Sequence, residues 1–147
     1  MSDGPIHDCI HRWHQVTRGE LSIDEVLHPD VVFLSPIVFT PQRGRDVTKL
    51  YLSAAGATLA GATPESADDG PSFAEESSFR YTMQILQGHH AMLEFETQVE
   101  GKYANGVDII SCDDDGQIVE FKVMMRPLQA INAVHAQMKA MLEQLSG

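Results

Sequence analysis

The chain reads as a single α+β domain. Three observations carry that reading. Its 147 residues are one domain's worth, long enough to bury a core and too short for two. Apolar residues recur every three or four positions near both ends and around residue 50, whereas from Ser78 to Met125 they recur every two. Strand and helix signals never alternate as a βαβ unit, so nothing builds a parallel sheet, and the helices must cover one face of an antiparallel one.

Taking the elements in order, Pro5 opens a helix in which Ile6, Cys9, Ile10, Trp13, Val16 and Thr17 form one stripe ending near Gly19. Ser22 and Glu25 have the spacing of a capping box, which predicts a short second helix over Leu21 to His28, stopped by Pro29. Val31 to Thr40 reads as a strand followed by an irregular arm, because a β-branched and aromatic run meets Pro36. After Gly44, Asp46 caps a third helix through Val47, Leu50, Tyr51 and Ala54, blurred at its far end by Gly56, Gly61 and Pro64. Ala62 to Pro71, rich in small and acidic residues, is a loop placed to border a pocket. Phe79, Tyr81, Met83 and Ile85, then Leu93, Phe95, Thr97 and Val99, belong to a four-stranded meander. Its breaks fall at Gly88 with His89, Glu100 with Gly101, and Asp115 with Gly116. Beyond Pro127, the apolar positions Leu128, Ile131, Val134, Met138 and Met141 or Leu142 mark a closing helix.

The formal charge of -11 sets 10 Lys and Arg against 21 Asp and Glu, which repels phosphate backbones and anionic lipid, so no nucleic acid and no membrane partner is expected. No apolar stretch approaches a membrane span or a signal-peptide core, and the expected location is cytoplasmic. Cys9 and Cys112 have neither CxxC spacing nor a disulfide framework, and read as small buried hydrophobes in a reducing compartment.

Several local sequences occur in a telling order: Trp13 on the first helix, HPDVVFLSP (His28 to Pro36), RGRDV (Arg43 to Val47), GVDIISCDDDGQIVEF (Gly106 to Phe121) and RPL (Arg126 to Leu128). With these the chain resembles, over most of its length, the nuclear transport factor 2-like superfamily, in particular its SnoaL-like and ketosteroid isomerase-like branches. The resemblance implies a strongly curved antiparallel sheet shaped as a cone, closed by the N-terminal helices and followed by a C-terminal helix. It further implies an inner cavity for a small apolar or aromatic molecule and a homodimer formed through the sheet.

In ketosteroid isomerases a buried, protonated aspartate on the penultimate strand donates a hydrogen bond to the developing enolate. Asp108 matches it, eight residues before Gly116 and among Val107, Ile109 and Ile110. The isomerase's general base is an aspartate before the proline that ends the first strand; Ser35 stands there, and a serine cannot remove a proton without an activating base. The partner tyrosine's place falls to Arg12 or Trp13. The limonene epoxide hydrolase pattern fails as well, for Gly106 occupies the place of its arginine and only Glu120 is acidic on the last strand.

His7, His11 and His14 share a helical face at spacings of four and three, a geometry that could hold a metal with Asp30 or Asp46. That face flanks the apolar stripe, so no metal and no cofactor is expected, and His14, nearest the stripe, is the candidate acid or base beside Asp108. The run Asp113 to Gly116 resembles a calcium loop, but Ser111 and Lys122 stand where ligands belong, and a hairpin turn explains it. Trp13, Phe33, Ser35, Tyr51, Phe79 and Arg126 are the candidate ligand contacts, Arg126 through a carboxylate. The expected function is binding of, or isomerase, cyclase or hydratase chemistry on, an apolar cyclic or carbonyl metabolite anchored by Asp108. The alternative is a non-catalytic dimeric carrier or protein-interaction module.

Overall fold

The computed structural model describes residues 4–59 and 79–146. The loop expected over Ala62 to Pro71, with Gly61 and Pro64, lies outside the described residues. Helix α1 (Pro5–Thr17) starts at its proline and buries Ile6, Cys9, Ile10 and Trp13, the first four positions of the stripe its spacing predicts, while Val16 is half-buried and Thr17 exposed at the helix end. Gly4 permits this start, because at φ 94 a Cβ there would lie 2.6 Å from the Gly88 oxygen, to which Ile6 N donates at 3.0 Å.

In place of the helix that the capping box predicts over Leu21 to His28 there is one 3-10 turn, Ile23–Glu25, and strand β1 (Leu27–Leu34) begins directly after it. Ser22 Oγ accepts from Asp24 N at 3.2 Å rather than from Glu25. Sheet pairing outweighs the local signal: Val26 and Leu27 are fully buried, and Ile118 N donates to Val26 O at 2.7 Å. Pro29 then falls inside β1, where the register slips between Leu27 and Val32 and no ladder donor is needed.

Strand β2 (Gln42–Arg43), which nothing in the sequence marks, pairs with Val32 and Phe33. Helix α2 (Arg45–Leu59) places Asp46 in its first turn rather than at its cap. The meander consists of β3 (Arg80–Gln87), β4 (His90–Val99), β5 (Lys102–Cys112) and β6 (Ile118–Arg126), broken where the glycines predict. Gly88, Gly101 and Gly116 all have positive φ, joined by Glu100 but not by Asp115. Helix α3 (Leu128–Ser146) closes the chain. It buries Ala130, Ala133, Val134 and Met138 but leaves Leu128 exposed, so its inward face is rotated from the Leu128 and Ile131 stripe.

The six strands form one curved, unclosed sheet in the order β2-β1-β6-β5-β4-β3. It is antiparallel except at one seam, second from the β2 edge, where β1 runs parallel to β6. An entirely antiparallel sheet is therefore corrected: β1 and β6 meet as distant elements, with β2, α2 and the first three meander strands between them, so no βαβ repeat announces the pairing. The helices pack on one face. There Ala91, Leu93, Phe95, Ile110, Phe121 and Val123 join the α1 stripe in one core, while Val99 and Ala104 join α3 in a second. Cys9 and Cys112 are both buried in that first core. Burial and the neighbouring Cys112 push the Cys9 thiol up to about 12. Arg12 ties α1 to the β5–β6 turn, donating to Gly116 O at 2.8 Å and Asp115 O at 3.2 Å. Among the described residues no helix is long and apolar enough to cross a membrane.

Candidate functional site

The inner sheet face sets out the site by register. Tyr81 on β3 pairs with Phe95 on β4, Phe95 pairs with Gly106 on β5, and Asp108 lies two residues along β5 on the same face. Gly106 is obligatory here, since a Cβ would lie 2.8 Å from the Met124 oxygen and run into the Phe95 ring. Phe95 covers the gap, and Phe79 stacks on Phe95 with centroids 5.0 Å apart and planes at 26°. Tyr81 stands edge-on to Phe79 at 5.2 Å. Its hydroxyl thereby reaches past β4 and donates to Asp108 Oδ2 at 2.9 Å, while Trp13 Nε1 donates to the Tyr81 oxygen at 3.1 Å. The result is a directional chain from indole to phenol to carboxyl.

This chain stands in the wall of a cavity of about 560 Å³ whose other sides are mainly apolar, among them Ile23, Phe33, Leu52, Phe121, Val123 and Met125, with the hydroxyls of Thr17 and Ser53 the exceptions. Val134 and Met138 of α3 complete it. Among the described residues Asp108 is the one acidic or basic side chain lining it. Only 6% exposed, Asp108 has its carboxyl pushed up to about 7 by burial, against which the Tyr81 hydrogen bond pulls downward. Tyr81 is held well above the usual phenol range, first by burial and then by the neighbouring Asp108. Near neutral pH the carboxyl is thus poised between an acid that can donate from Oδ1 and a carboxylate that can accept there.

The sequence-derived candidates divide between this cavity and its surroundings. Trp13, Phe33, Phe79 and Asp108 line it. His14 turns instead to Gln84, its Nε2 lying 2.9 Å from Gln84 Oε1, with its ring edge-on to Tyr81 at 5.7 Å. Ser35 accepts from Ile37 N at 2.9 Å and Val38 N at 3.4 Å, the local turn that a residue before Pro36 favours. Ser35 and Tyr51 line a second cavity of about 250 Å³. Arg126 is exposed at the end of β6 and donates to Asn105 Oδ1 at 3.3 Å. His7 and His11 face outward. No group of three His, Cys, Asp or Glu side chains among the described residues is placed to hold a metal.

Tyr81 is the residue sequence reasoning undervalued. By spacing it reads only as a period-two aromatic, and the resemblance puts the partner phenol on the first helix, where Arg12 and Trp13 stand. The register that pairs Tyr81 with Phe95, itself opposite Gly106, opens the path to Asp108, and no local sequence signal marks it.

No family model and no curated protein matches this chain. Solved structures do. A steroid delta-isomerase from Pseudomonas aeruginosa is 28% identical with a TM-score of 0.79, the match covering 97% of this chain and 96% of that one. An uncharacterized protein conserved in bacteria with a cystatin-like fold, from Silicibacter pomeroyi DSS-3, is 30% identical at a TM-score of 0.74, over 92% of this chain and 86% of that one. A nuclear transport factor 2-like protein of unknown function from Mesorhizobium loti, 15% identical at a TM-score of 0.64 over 84% and 92% of the two chains, shares the fold.

Proposed function

Because the chain belongs to the nuclear transport factor 2-like superfamily, in its ketosteroid isomerase-like branch, we propose that it binds an apolar cyclic molecule through a ring oxygen held by Asp108. In this reading the curved sheet acts as a cone around the cavity, with α1 closing one end. The observation that carries it is Asp108 buried against an apolar wall with Tyr81 already donating to one of its oxygens, which leaves the other for the ligand. A volume of about 560 Å³ lies within the range of small-molecule pockets. The Pseudomonas aeruginosa neighbour, a steroid delta-isomerase, supports the ligand class.

Chemistry in this cavity falls to Asp108, as an acid or base in an isomerase, cyclase or hydratase type of reaction. A two-base proton transfer of the ketosteroid isomerase type is not our reading, since Ser35 lies on the second cavity and no other acidic or basic side chain among the described residues lines the first. That same feature favours a second reading, a carrier that binds without turnover. Native mass spectrometry of the purified protein should reveal a co-purifying apolar molecule containing oxygen. Asp108→Leu, which leaves Tyr81 without its acceptor and the ligand without its anchor, should weaken that complex at least tenfold, about 1.4 kcal/mol. Unaltered affinity would remove Asp108 from the site. Asp108→Asn keeps a hydrogen-bond donor but has no proton to transfer, so it should abolish turnover by an enzyme and leave a carrier's release rate near that of the wild type.

The outer sheet face supports a homodimer. Met83, Ile85, Met92 and Met124 are each between 40% and 51% exposed there, flanking the half-buried Val107 and Ile109. We propose that a second copy covers this patch. Ile109→Glu would bury a charge at its centre, and light scattering coupled to size exclusion should then report a monomer where the wild type is a dimer. A monomeric wild-type protein at micromolar concentration would end the proposal.

A further inference from the structure

The second cavity, about 250 Å³, adjoins the first along three seams. Met138 lines both; Ser35 of the outer one is bonded in sequence to Pro36 of the inner one; and Tyr51 of the outer one packs on Phe33 of the inner one, with ring centroids 5.7 Å apart. The two cavities differ in chemistry. The inner is apolar around Asp108, whereas Ser35, Tyr51, His135, Lys139 and Glu143 give the outer one a polar mouth. Neither Tyr51, His135 nor Lys139 has a side-chain hydrogen bond or ion pair among the described residues, and the Ser35 hydroxyl only accepts, so its proton is free to donate. Donors thus outnumber the one carboxylate, Glu143. In a chain of net charge -11, a pocket where Lys139 stands with uncommitted hydroxyl donors is a local exception.

We propose that the outer cavity is a subsite for an anionic oxygen-rich head, a carboxylate by preference, of a ligand whose apolar ring occupies the inner cavity. This rests on the inner cavity being the ligand site. The ligand class is then an apolar cyclic acid, its ring oxygen at Asp108 and its acidic tail among Lys139, Tyr51 and Ser35. Lys139 supplies the charge, while Glu143, on the same helix, opposes it and restricts how much negative charge the mouth accepts.

The test uses two dyes with the same ring system on the intact protein: 1-anilinonaphthalene-8-sulfonate, which is anionic, and N-phenyl-1-naphthylamine, which is neutral. Affinities are read from fluorescence. Lys139→Glu should lower the ratio of anionic to neutral affinity at least tenfold, and Glu143→Gln should raise it severalfold. Added salt should weaken the anionic dye selectively in the wild type. Both substitutions are at exposed positions, and the salt titration needs no variant. A ratio unmoved by either substitution while both dyes bind would overturn the subsite and leave the inner site standing. A fall in the ratio on Glu143→Gln would overturn it too. Failure of the wild type to bind either dye would overturn the inner site and the subsite together.

Discussion

Asp108→Asn is expected to make the protein more stable than the wild type at pH 8, by about 4 kcal/mol, and to confer no advantage near pH 4. The sign follows from burial. Asp108 has an ordinary value of 3.8 and is pushed up to about 7 in the fold. Between those values the folded chain holds a proton that the unfolded chain has released, so the wild type loses stability as pH rises from about 4 to about 7 and is level above that. At about 1.4 kcal/mol per pH unit the gap amounts to about 4 kcal/mol. Asparagine carries no charge at any of these pH values, while its oxygen can still accept from Tyr81. All other carboxylates are common to both proteins, so the difference between them isolates this one group. Urea denaturation of both proteins at pH 4, 6 and 8 reads it directly. Parallel curves would mean that the Asp108 side chain ionises as an exposed aspartate does, and the donor role at neutral pH would go with it.

What the sequence disclosed and what it concealed divide by the range of the forces involved. The meander was legible because its signals are local: Gly88, Gly101 and Gly116 each take a backbone conformation that other residues resist, and alternation between them marks the faces. The α1 stripe was legible for the same reason. The capping box at Ser22 and Glu25 misled because Val26 and Leu27 are claimed by a strand more than ninety residues away, and burying them outweighs one helical turn. The parallel β1–β6 pairing is also a long-range event, whereas the two-residue β2 is too short to leave a periodic signal. At the site, Asp108 and Trp13 were found by pattern and position, but the phenol that joins them was not, because it comes from β3 across an intervening strand. His14, Ser35, Tyr51 and Arg126 were correctly placed on their elements. Whether each faces the inner cavity depends on one helical step or one strand end, which spacing does not resolve.

Phe95→Ala should cost about 3 to 5 kcal/mol, the usual range for deleting a buried aromatic ring. The reason goes beyond the lost volume. Phe95 is fully buried, stacks with Phe79, meets Tyr81 edge-on at 6.5 Å and fills the space above Gly106. Its loss should also loosen the Tyr81 to Asp108 bond and weaken N-phenyl-1-naphthylamine binding. Gly106→Ala in the intact protein should cost about 1 to 3 kcal/mol, since its Cβ meets both that ring and the Met124 carbonyl. Combining the two changes separates the causes. If the ring is what forbids a side chain at position 106, Gly106→Ala becomes cheaper by at least about 1 kcal/mol once Phe95 is alanine, and the double-mutant cycle shows that coupling. If the costs add, the 2.8 Å approach to the rigid Met124 carbonyl is the whole constraint. Glycine would then be required by the backbone of β6 rather than by the aromatic platform under the site.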